Sequence, residues 1–265
     1  MVCVPQTRLL KGRAKNARAS AFIKSHFRCP GDICENLTPK SAFTLVELLV
    51  TITIVLVLAA LIVPATNNMI ESSRNGACIG NLRGIGAALI TYAGENNGRL
   101  PAIYSAASDQ TWNMFLTDGG YLPKASARQT SIMVCPSQQP GRWTSPSLTY
   151  GMRIPPKHDW YGCSYIYSMA GGRVRDLEGA DYGQPSQFMI MGDSVYTGSS
   201  SVEGNKQCYY FITATKDSHA IHLRHNKHGN FLFADGHVEA MNLDSLTSDP
   251  VNPTTPTQIS VSKPQ

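Results

Sequence analysis

The longest hydrophobic stretch of the 265-residue chain covers residues 43–63, where 17 of 21 side chains are apolar. As a helix it would be about 31 Å long at 1.5 Å per residue, close to the roughly 30 Å hydrocarbon core of a bilayer. A core helix would show a polar face, whereas here only three threonines and Glu47 interrupt the apolar run. The pattern predicts a transmembrane segment over residues 43–64.

After Pro64 the pattern becomes amphipathic, which predicts that the same helix continues over residues 65–95, with Pro64 as a kink. Asn96, Asn97 and Gly98 are expected to end it. Glycines within this half disfavour a free helix, so it needs a domain to pack against. The predicted apolar stripe consists of Met69, Ile70, Cys78, Leu82, Ile85, Leu89 and Tyr92.

Residues 96–243 alternate short apolar runs with Gly, Pro and Ser, which predicts an α+β head in which a small antiparallel β-sheet packs on the long N-terminal helix. A short helix is expected at residues 112–116. Strand composition marks residues 132–135, 165–169, 187–191 and 207–212.

Two further apolar runs, residues 230–234 and 237–241, flank Asp235 and Gly236. Asp-Gly favours a hairpin with a two-residue loop, because that turn needs positive φ at both positions. Phe231, Phe233 and Val238 would then pack on or beside the helix. Residues 244–265 contain four prolines and no periodicity, which predicts a disordered tail.

Charge separates the first 42 residues from the rest of the chain. They carry eight Lys/Arg and two acidic residues, while the remainder carries 15 of the 23 basic and 16 of the 18 acidic residues. The basic excess is therefore a leader peptide, residues 1–42, rather than a nucleic-acid surface. By the positive-inside rule the N-terminus is cytoplasmic and the head extracytoplasmic. A secretory signal peptide cut before Thr66 is the competing interpretation, but its hydrophobic region would be shorter.

Four cysteines remain beyond the leader: Cys78, Cys135, Cys163 and Cys208. In an oxidising compartment four cysteines allow three disulfide pairings, among which the sequence does not choose. Pairing in chain order, Cys78 with Cys135 and Cys163 with Cys208, is the guess adopted here. The absence of a C-x-x-C spacing argues against a structural zinc site.

The stretch KSAFTLVELLVTITIVLVLAALIVP resembles the N-terminal signature of type IV prepilins and type II secretion pseudopilins. In this resemblance Phe43 is the first mature residue, Glu47 the acidic fifth position and Pro64 the kinking proline. The family usually has Gly before the cut, where this chain has Ala42. The resemblance implies cleavage between Ala42 and Phe43 by a prepilin peptidase, N-methylation of Phe43, and filament assembly with other pilin-like subunits in which Glu47 pairs with a neighbour's Phe43 amine.

A second resemblance covers two parts of the chain. One is residues 76–101, and the other is the motif in which nine residues separate His225 from Asp235 and Gly236. Both are similar to prepilin-like proteins with an H-X9-DG domain. Together the resemblances imply a single-pass subunit of the bacterial inner membrane without enzymatic activity. By the same analogy the head could bind Ca²⁺ through Asp181 and Asp193, although no known calcium-loop spacing is present.

Five histidines lie between His219 and His237, a clustering that suggests a metal site. In a strand, however, the three-residue spacings place successive histidines on opposite faces, so no ligand set follows. For His225 the simpler interpretation is a histidine that bonds a turn or a neighbouring strand.

Seven tyrosines of the head leave a different class of function open: an anchored or exported protein that binds polysaccharide or another envelope component and never polymerises. Aromatic residues in strands more often serve packing. The residues in question are Tyr161, Tyr165, Tyr167, Tyr182, Tyr196, Tyr209 and Tyr210.

Overall fold

The computed structural model describes residues 43–154, 165–199, 204–213, 218–249, 254 and 259–261. The predicted leader with Ala42, and Cys163, lie outside these residues. The chain divides into two compact units, residues 1–54 and 55–265. The fold is α+β, as the sequence predicts.

Three α-helices are described: α1 (Leu45–Glu95), α2 (Trp112–Asp118) and α3 (Leu243–Ser248). The strands are β1 (Arg99–Pro101), β2 (Tyr104–Ser105), β3 (Gln110–Thr111), β4 (Gly151–Arg153), β5 (Tyr165–Ser168), β6 (Arg175–Asp176), β7 (Met189–Gly192), β8 (Ser194–Tyr196), β9 (Tyr210–Phe211), β10 (His219–Leu223), β11 (Gly229–Phe233), β12 (Val238–Met241) and β13 (Ile259–Val261).

Helix α1 begins as an apolar segment whose side chains are exposed, such as Leu48 at 60 %. Residues Leu45–Ile62 are long and apolar enough to cross a membrane. The helix continues through Pro64 without ending there. The kink expected at this proline stays a prediction.

The C-terminal half of α1 carries the apolar stripe that packs against the head. Four residues spaced four, three and four apart are fully buried: Cys78, Leu82, Ile85 and Leu89. Met69 and Ile70 are exposed, so the stripe begins later than the sequence predicts. The helix ends at Glu95, and the amide of Gly98, at φ 76°, bonds the carbonyl oxygen of Ala93 at 2.7 Å. Asn97, at φ 56°, is the left-handed residue that precedes this bond, as in the common Schellman ending of a helix.

The central sheet has five strands in the order β12-β11-β7-β4-β9. Its pairs are antiparallel except β4 with β9, which is parallel. A three-stranded sheet has the order β13-β10-β8, another β1-β5-β6, and β2 pairs with β3.

The two faces of β11 contribute to two different cores. Leu232 packs in the core that contains Leu82, Ile85 and Leu89 of α1. Phe231 and Phe233 lie in a second core with residues of β10 and α3. The prediction that both phenylalanines pack against the helix is wrong, because side chains alternate along a strand and Leu232 takes the helix-facing side.

The predicted hairpin forms, but its turn differs from the expected one. The amide of Gly236 bonds the carbonyl oxygen of Phe233, and the amide of Phe233 bonds the carbonyl oxygen of His237, each at 2.9 Å. Gly236 has φ 93°, whereas Asp235 does not adopt positive φ. The loop therefore has three residues and needs one glycine at its end rather than positive φ at two positions.

Other differences concern the tail and one strand. The C-terminal segment predicted to be disordered contains α3 and also β13, which pairs in parallel with β10. Residues 132–135, predicted as a strand, form turns. In both places partners far along the chain decide the local structure: β13 pairs with β10, and the amide of Cys135 donates to the Gln207 side chain at 3.0 Å.

Candidate functional site

The start of α1 carries a reciprocal hydrogen-bond pair between Thr44 and Glu47. The Glu47 carboxylate accepts bonds from the Thr44 amide and hydroxyl at 2.9 and 2.8 Å, and the Glu47 amide donates to the Thr44 hydroxyl at 3.2 Å. This is a capping box, which satisfies amides that the first helical turn leaves without partners. Sequence analysis missed it, although the T-x-x-E spacing is its signal. Glu47 thus has a structural role within its own chain.

A second site is buried under the C-terminal half of α1. Four ligand-type atoms lie within 4.8 Å of one another, and they belong to the buried residues Cys78, Cys135, Asp193 and His225. The Cys135 Sγ–His225 Nε2 distance is 3.4 Å, and the Cys78 Sγ–Asp193 Oδ1 distance is 3.6 Å. His225 Nε2 and Asp193 Oδ2 are 3.5 Å apart. We call these four residues the buried cluster.

Each member of the buried cluster comes from a different part of the fold. Cys78 lies on α1, and Asp193 is the single residue between β7 and β8. His225 opens the turn that joins β10 to β11, where the amides and carbonyl groups of His225 and His228 bond each other at 2.9 and 3.0 Å. Cys135 lies in a turn segment, and its backbone amide and carbonyl are bonded by the side chain of Gln207 at 3.0 and 3.1 Å.

The same face of α1 supplies further polar contacts to the cluster. Glu71 Oε1 lies 3.1 Å from His225 Nδ1, and Asn75 Oδ1 accepts from Asn230 Nδ2 at 2.7 Å. Glu71, Asn75 and Cys78 are spaced four and three apart, so they continue the buried stripe of α1 by two turns toward its N-terminus. The apolar stripe predicted from the sequence does not include Glu71 and Asn75. Extending the 4–3–4 spacing backward from Leu82 was the signal that could have found them.

Asp193 is fully buried, and three polar groups besides the Cys78 thiol surround its carboxylate. Arg224 Nε lies 3.6 Å from Asp193 Oδ1, and the amide of Asn230 donates to Asp193 Oδ2 at 2.9 Å. Burial raises the pKa of Asp193 to about 6, although the Arg224 guanidinium opposes the rise. The carboxylate is therefore held in place by a cation, an amide and the imidazole of His225.

The two thiols of the buried cluster differ in their electrostatic surroundings. Burial raises the pKa of Cys78 well above its ordinary value. Burial also disfavours the Cys135 thiolate, but hydrogen bonds from Cys78 and His225 and the Arg224 charge together lower the pKa of Cys135 well below its ordinary value. The two buried thiols therefore influence each other's ionisation, and their pKa values are shifted in opposite directions.

Cys78 and Cys135 are free thiols. The structure brings Cys78 and Cys135 together as the chain-order pairing requires, but no bond joins them. Cys208 lies elsewhere and its thiol donates to the carbonyl oxygen of Tyr210 at 3.2 Å. The pairing of Cys163 with Cys208 falls on a residue outside the described part of the chain, so it stays a prediction.

The five histidines do not converge on one site. His225 is the one whose ring nitrogen belongs to the buried cluster. His219 stacks on Tyr210, and His237 stacks on Phe233 with its Nδ1 2.6 Å from Asp235 Oδ1. For the possible calcium site, Asp181 is paired with Arg173 and Arg175, whereas Asp193 belongs to the buried cluster.

His225 and Gly236, the two ends of the H-X9-DG spacing, both approach α1, but at different positions along the helix. His225 faces Glu71, while a Cβ built on Gly236 would lie 2.9 Å from Ile90 Cδ1. Strand β11 lies between these two points and its Leu232 side chain contacts Gly86. The contacts of His225, Leu232 and Gly236 therefore hold β11 along α1.

The tyrosines mainly serve packing where the structure describes their rings. Tyr167 is fully buried and makes edge-to-face contacts with Tyr182 and Phe188. Tyr209 packs edge-to-face on Tyr210. These contacts account for much of the aromatic content without a ligand.

Comparison with known protein families found the prokaryotic N-terminal methylation motif at residues 38–63. This match supports a type IV pilin-like protein: a prepilin-like subunit that is processed by a prepilin peptidase. Together with the apolar segment of α1, it fits a membrane-anchored protein. Neither the curated proteins nor the solved structures gave a match.

Proposed function

We propose that the chain is a membrane subunit cut between Ala42 and Phe43, N-methylated on Phe43 and assembled with other pilin-like subunits into a pilus or a type II secretion pseudopilus. The observation that carries the proposal is the methylation motif at residues 38–63, which contains both the proposed cut and the whole exposed apolar span Leu45–Ile62. In such a filament the apolar helices would bundle together.

Topology follows from charge. Eight Lys/Arg precede the apolar segment, whereas Arg74 and Arg83 are the two within twenty residues after Pro64. This asymmetry supports an inner-membrane protein with a cytoplasmic N-terminus and an extracytoplasmic head. We assign the head a structural rather than an enzymatic role. We also propose that His225, Asp235 and Gly236 mark an H-X9-DG domain.

Glu47 has a second task in this proposal. Cleavage would create a positive amine on Phe43, and the Glu47 carboxylate would pair with that amine on a neighbouring subunit. A carboxylate inside the membrane needs such a partner, because an unpaired charge there is costly. The capping box supports the idea, since Thr44 holds the carboxylate at the very start of α1.

Two variants separate assembly from capping. Glu47→Gln removes the charge but keeps a residue that suits a capping box, whereas Thr44→Ala removes the cap and keeps the carboxylate. We expect Glu47→Gln to insert into membranes but to be absent from the sheared filament fraction. We expect Thr44→Ala to assemble, at a cost of about 0.5–2 kcal/mol in helix stability.

The measurement is the share of the chain in sheared, pelleted filaments, with carbonate-resistant membrane insertion as the control. Normal assembly of Glu47→Gln would contradict the charge-pairing role. If neither the unaltered chain nor a variant enters filaments, the non-polymerising, envelope-binding protein becomes the better account.

A further inference from the structure

We propose that the buried cluster of Cys78, Cys135, Asp193 and His225 is a structural zinc site. Two sulfur atoms, one imidazole nitrogen and one carboxylate oxygen are a ligand set that Zn²⁺ accepts. All four residues are buried, and their ligand atoms lie within 4.8 Å of one another. Such a site goes beyond filament assembly and does not depend on it.

The spacings between ligand atoms suit a tetrahedral ion. With zinc–ligand bonds of about 2.0–2.3 Å, tetrahedral ligand atoms lie about 3.3–3.8 Å apart. With Asp193 Oδ2 as the oxygen ligand, three of the distances between ligand atoms are 3.4 Å for Cys135–His225, 3.5 Å for His225–Asp193 and 3.9 Å for Cys78–Asp193. An ion could therefore enter with small side-chain adjustments.

The surroundings orient the ligands as metal sites require. Glu71 Oε1 accepts from Nδ1 of His225, which leaves the Nε2 lone pair directed at Cys135 and Asp193. A carboxylate behind a ligating histidine is the usual second partner in zinc sites. Gln207 fixes the Cys135 backbone from both sides, and Asn230 fixes the Asp193 carboxylate.

The charges also balance. Binding of Zn²⁺ would release the two thiol protons, so two thiolates and the Asp193 carboxylate would contribute three negative charges against two positive ones. Arg224, which is buried and lies 3.6 Å from Asp193 Oδ1, supplies the remaining positive charge. The Glu71 carboxylate behind His225 is partly exposed and lies 4.0 Å from Arg74, so its charge is balanced outside the core.

Four protein ligands would close the coordination sphere, which is typical of structural rather than catalytic zinc. The ion would join α1 to the residue after β7, to the turn before β11 and to the Cys135 segment. The ion would thus link Cys78 and Cys135, which the sequence predicts to be joined by a disulfide. The C-x-x-C spacing is missing because all four ligands come from separate segments of the chain.

The test is zinc content in the full chain, purified in detergent without added reductant or chelator. We expect about one zinc per chain, falling about tenfold in Cys135→Ser and His225→Gln. The matched controls Cys208→Ser and His219→Gln remove a cysteine and a histidine outside the cluster and should keep the ion. Substitution of Co²⁺ into the unaltered chain should give thiolate-to-cobalt charge-transfer bands in the near ultraviolet, which tests the ligands without a variant that could misfold.

Three results would overturn the zinc site. One is a zinc-free chain with both thiols open to alkylation after unfolding. Another is a zinc-free chain whose mass is lower by two hydrogens because Cys78 and Cys135 form a disulfide. The last is zinc that survives in Cys135→Ser and His225→Gln, or a cobalt spectrum without thiolate bands.

Discussion

The contact between α1 and β11 predicts an energetic coupling between Gly86 and Leu232. Leu232 is fully buried, and a Cβ built on Gly86 would lie 2.7 Å from Leu232 Cδ1. Leu232→Ala should cost about 3–5 kcal/mol of unfolding free energy, because it removes three buried carbons worth about 0.8 kcal/mol each and leaves a cavity.

Gly86→Ala should have opposite effects in the two backgrounds. In the unaltered chain overpacking costs about 1–3 kcal/mol against a gain in helix propensity of about 1 kcal/mol, so the net change is a loss of about 0–2 kcal/mol. With Leu232→Ala the clashing methyl is gone and the nearest remaining backbone atom, Gly236 Cα, is 3.5 Å away. The same substitution should then stabilise the head by about 1 kcal/mol. The coupling energy is therefore about 1–3 kcal/mol.

The assay is urea unfolding of the detergent-solubilised chain, followed by tryptophan fluorescence, since Trp112 is fully buried in the same core. Gly80→Ala is the matched glycine control, because nothing lies within 4 Å of its added Cβ, and it should stabilise both backgrounds alike. Leu243→Ala, at a leucine 42 % exposed, should change stability by about 0.5 kcal/mol or less. Equal effects of Gly86→Ala in both backgrounds would refute the packing of β11 on this part of α1.

Two further predictions concern the hairpin turn and the C-terminal strand. Gly236→Ala should lower the free energy of unfolding by more than the roughly 1–2 kcal/mol expected for the control Gly120→Ala. Both glycines have positive φ, but only a Cβ at Gly236 would meet Ile90. Equal losses of stability in urea unfolding would contradict the contact between Gly236 and α1. Ending the chain at residue 249 removes β13 with the partly buried Ile259, and it should lower the melting temperature of the head by about 2–8 °C. An unchanged melting curve would contradict a stabilising role of β13.

Local patterns along the chain were enough to predict the long helix, its end before Gly98 and the hairpin around Gly236. Each of these depends on residues close in sequence: an apolar run, a periodic stripe, or a glycine at a turn. Which face of β11 packs against the helix was not predictable in the same way. Leu232 and its neighbours Phe231 and Phe233 are all apolar, so alternation alone does not say which side meets the helix.

The buried cluster could be predicted only in part. His225 stood out by its spacing to Gly236, and Cys78 by its place on the apolar stripe. Pairing in chain order placed Cys135 beside Cys78, but Asp193 is a one-residue connection between strands, and only the folded topology brings it and His225 to the two cysteines. A C-x-x-C spacing rule does not find this cluster, because it presumes ligands paired within one short segment.

The most direct test of the central claim is the N-terminal residue and intact mass of the mature chain from membranes of its native host. The account predicts a chain that begins at Phe43 and is heavier by one methyl group on its amine. A chain that begins at Thr66 would contradict it and indicate ordinary secretion. A chain that keeps residues 1–42 would also contradict it, and would leave an anchored protein that the prepilin peptidase does not process.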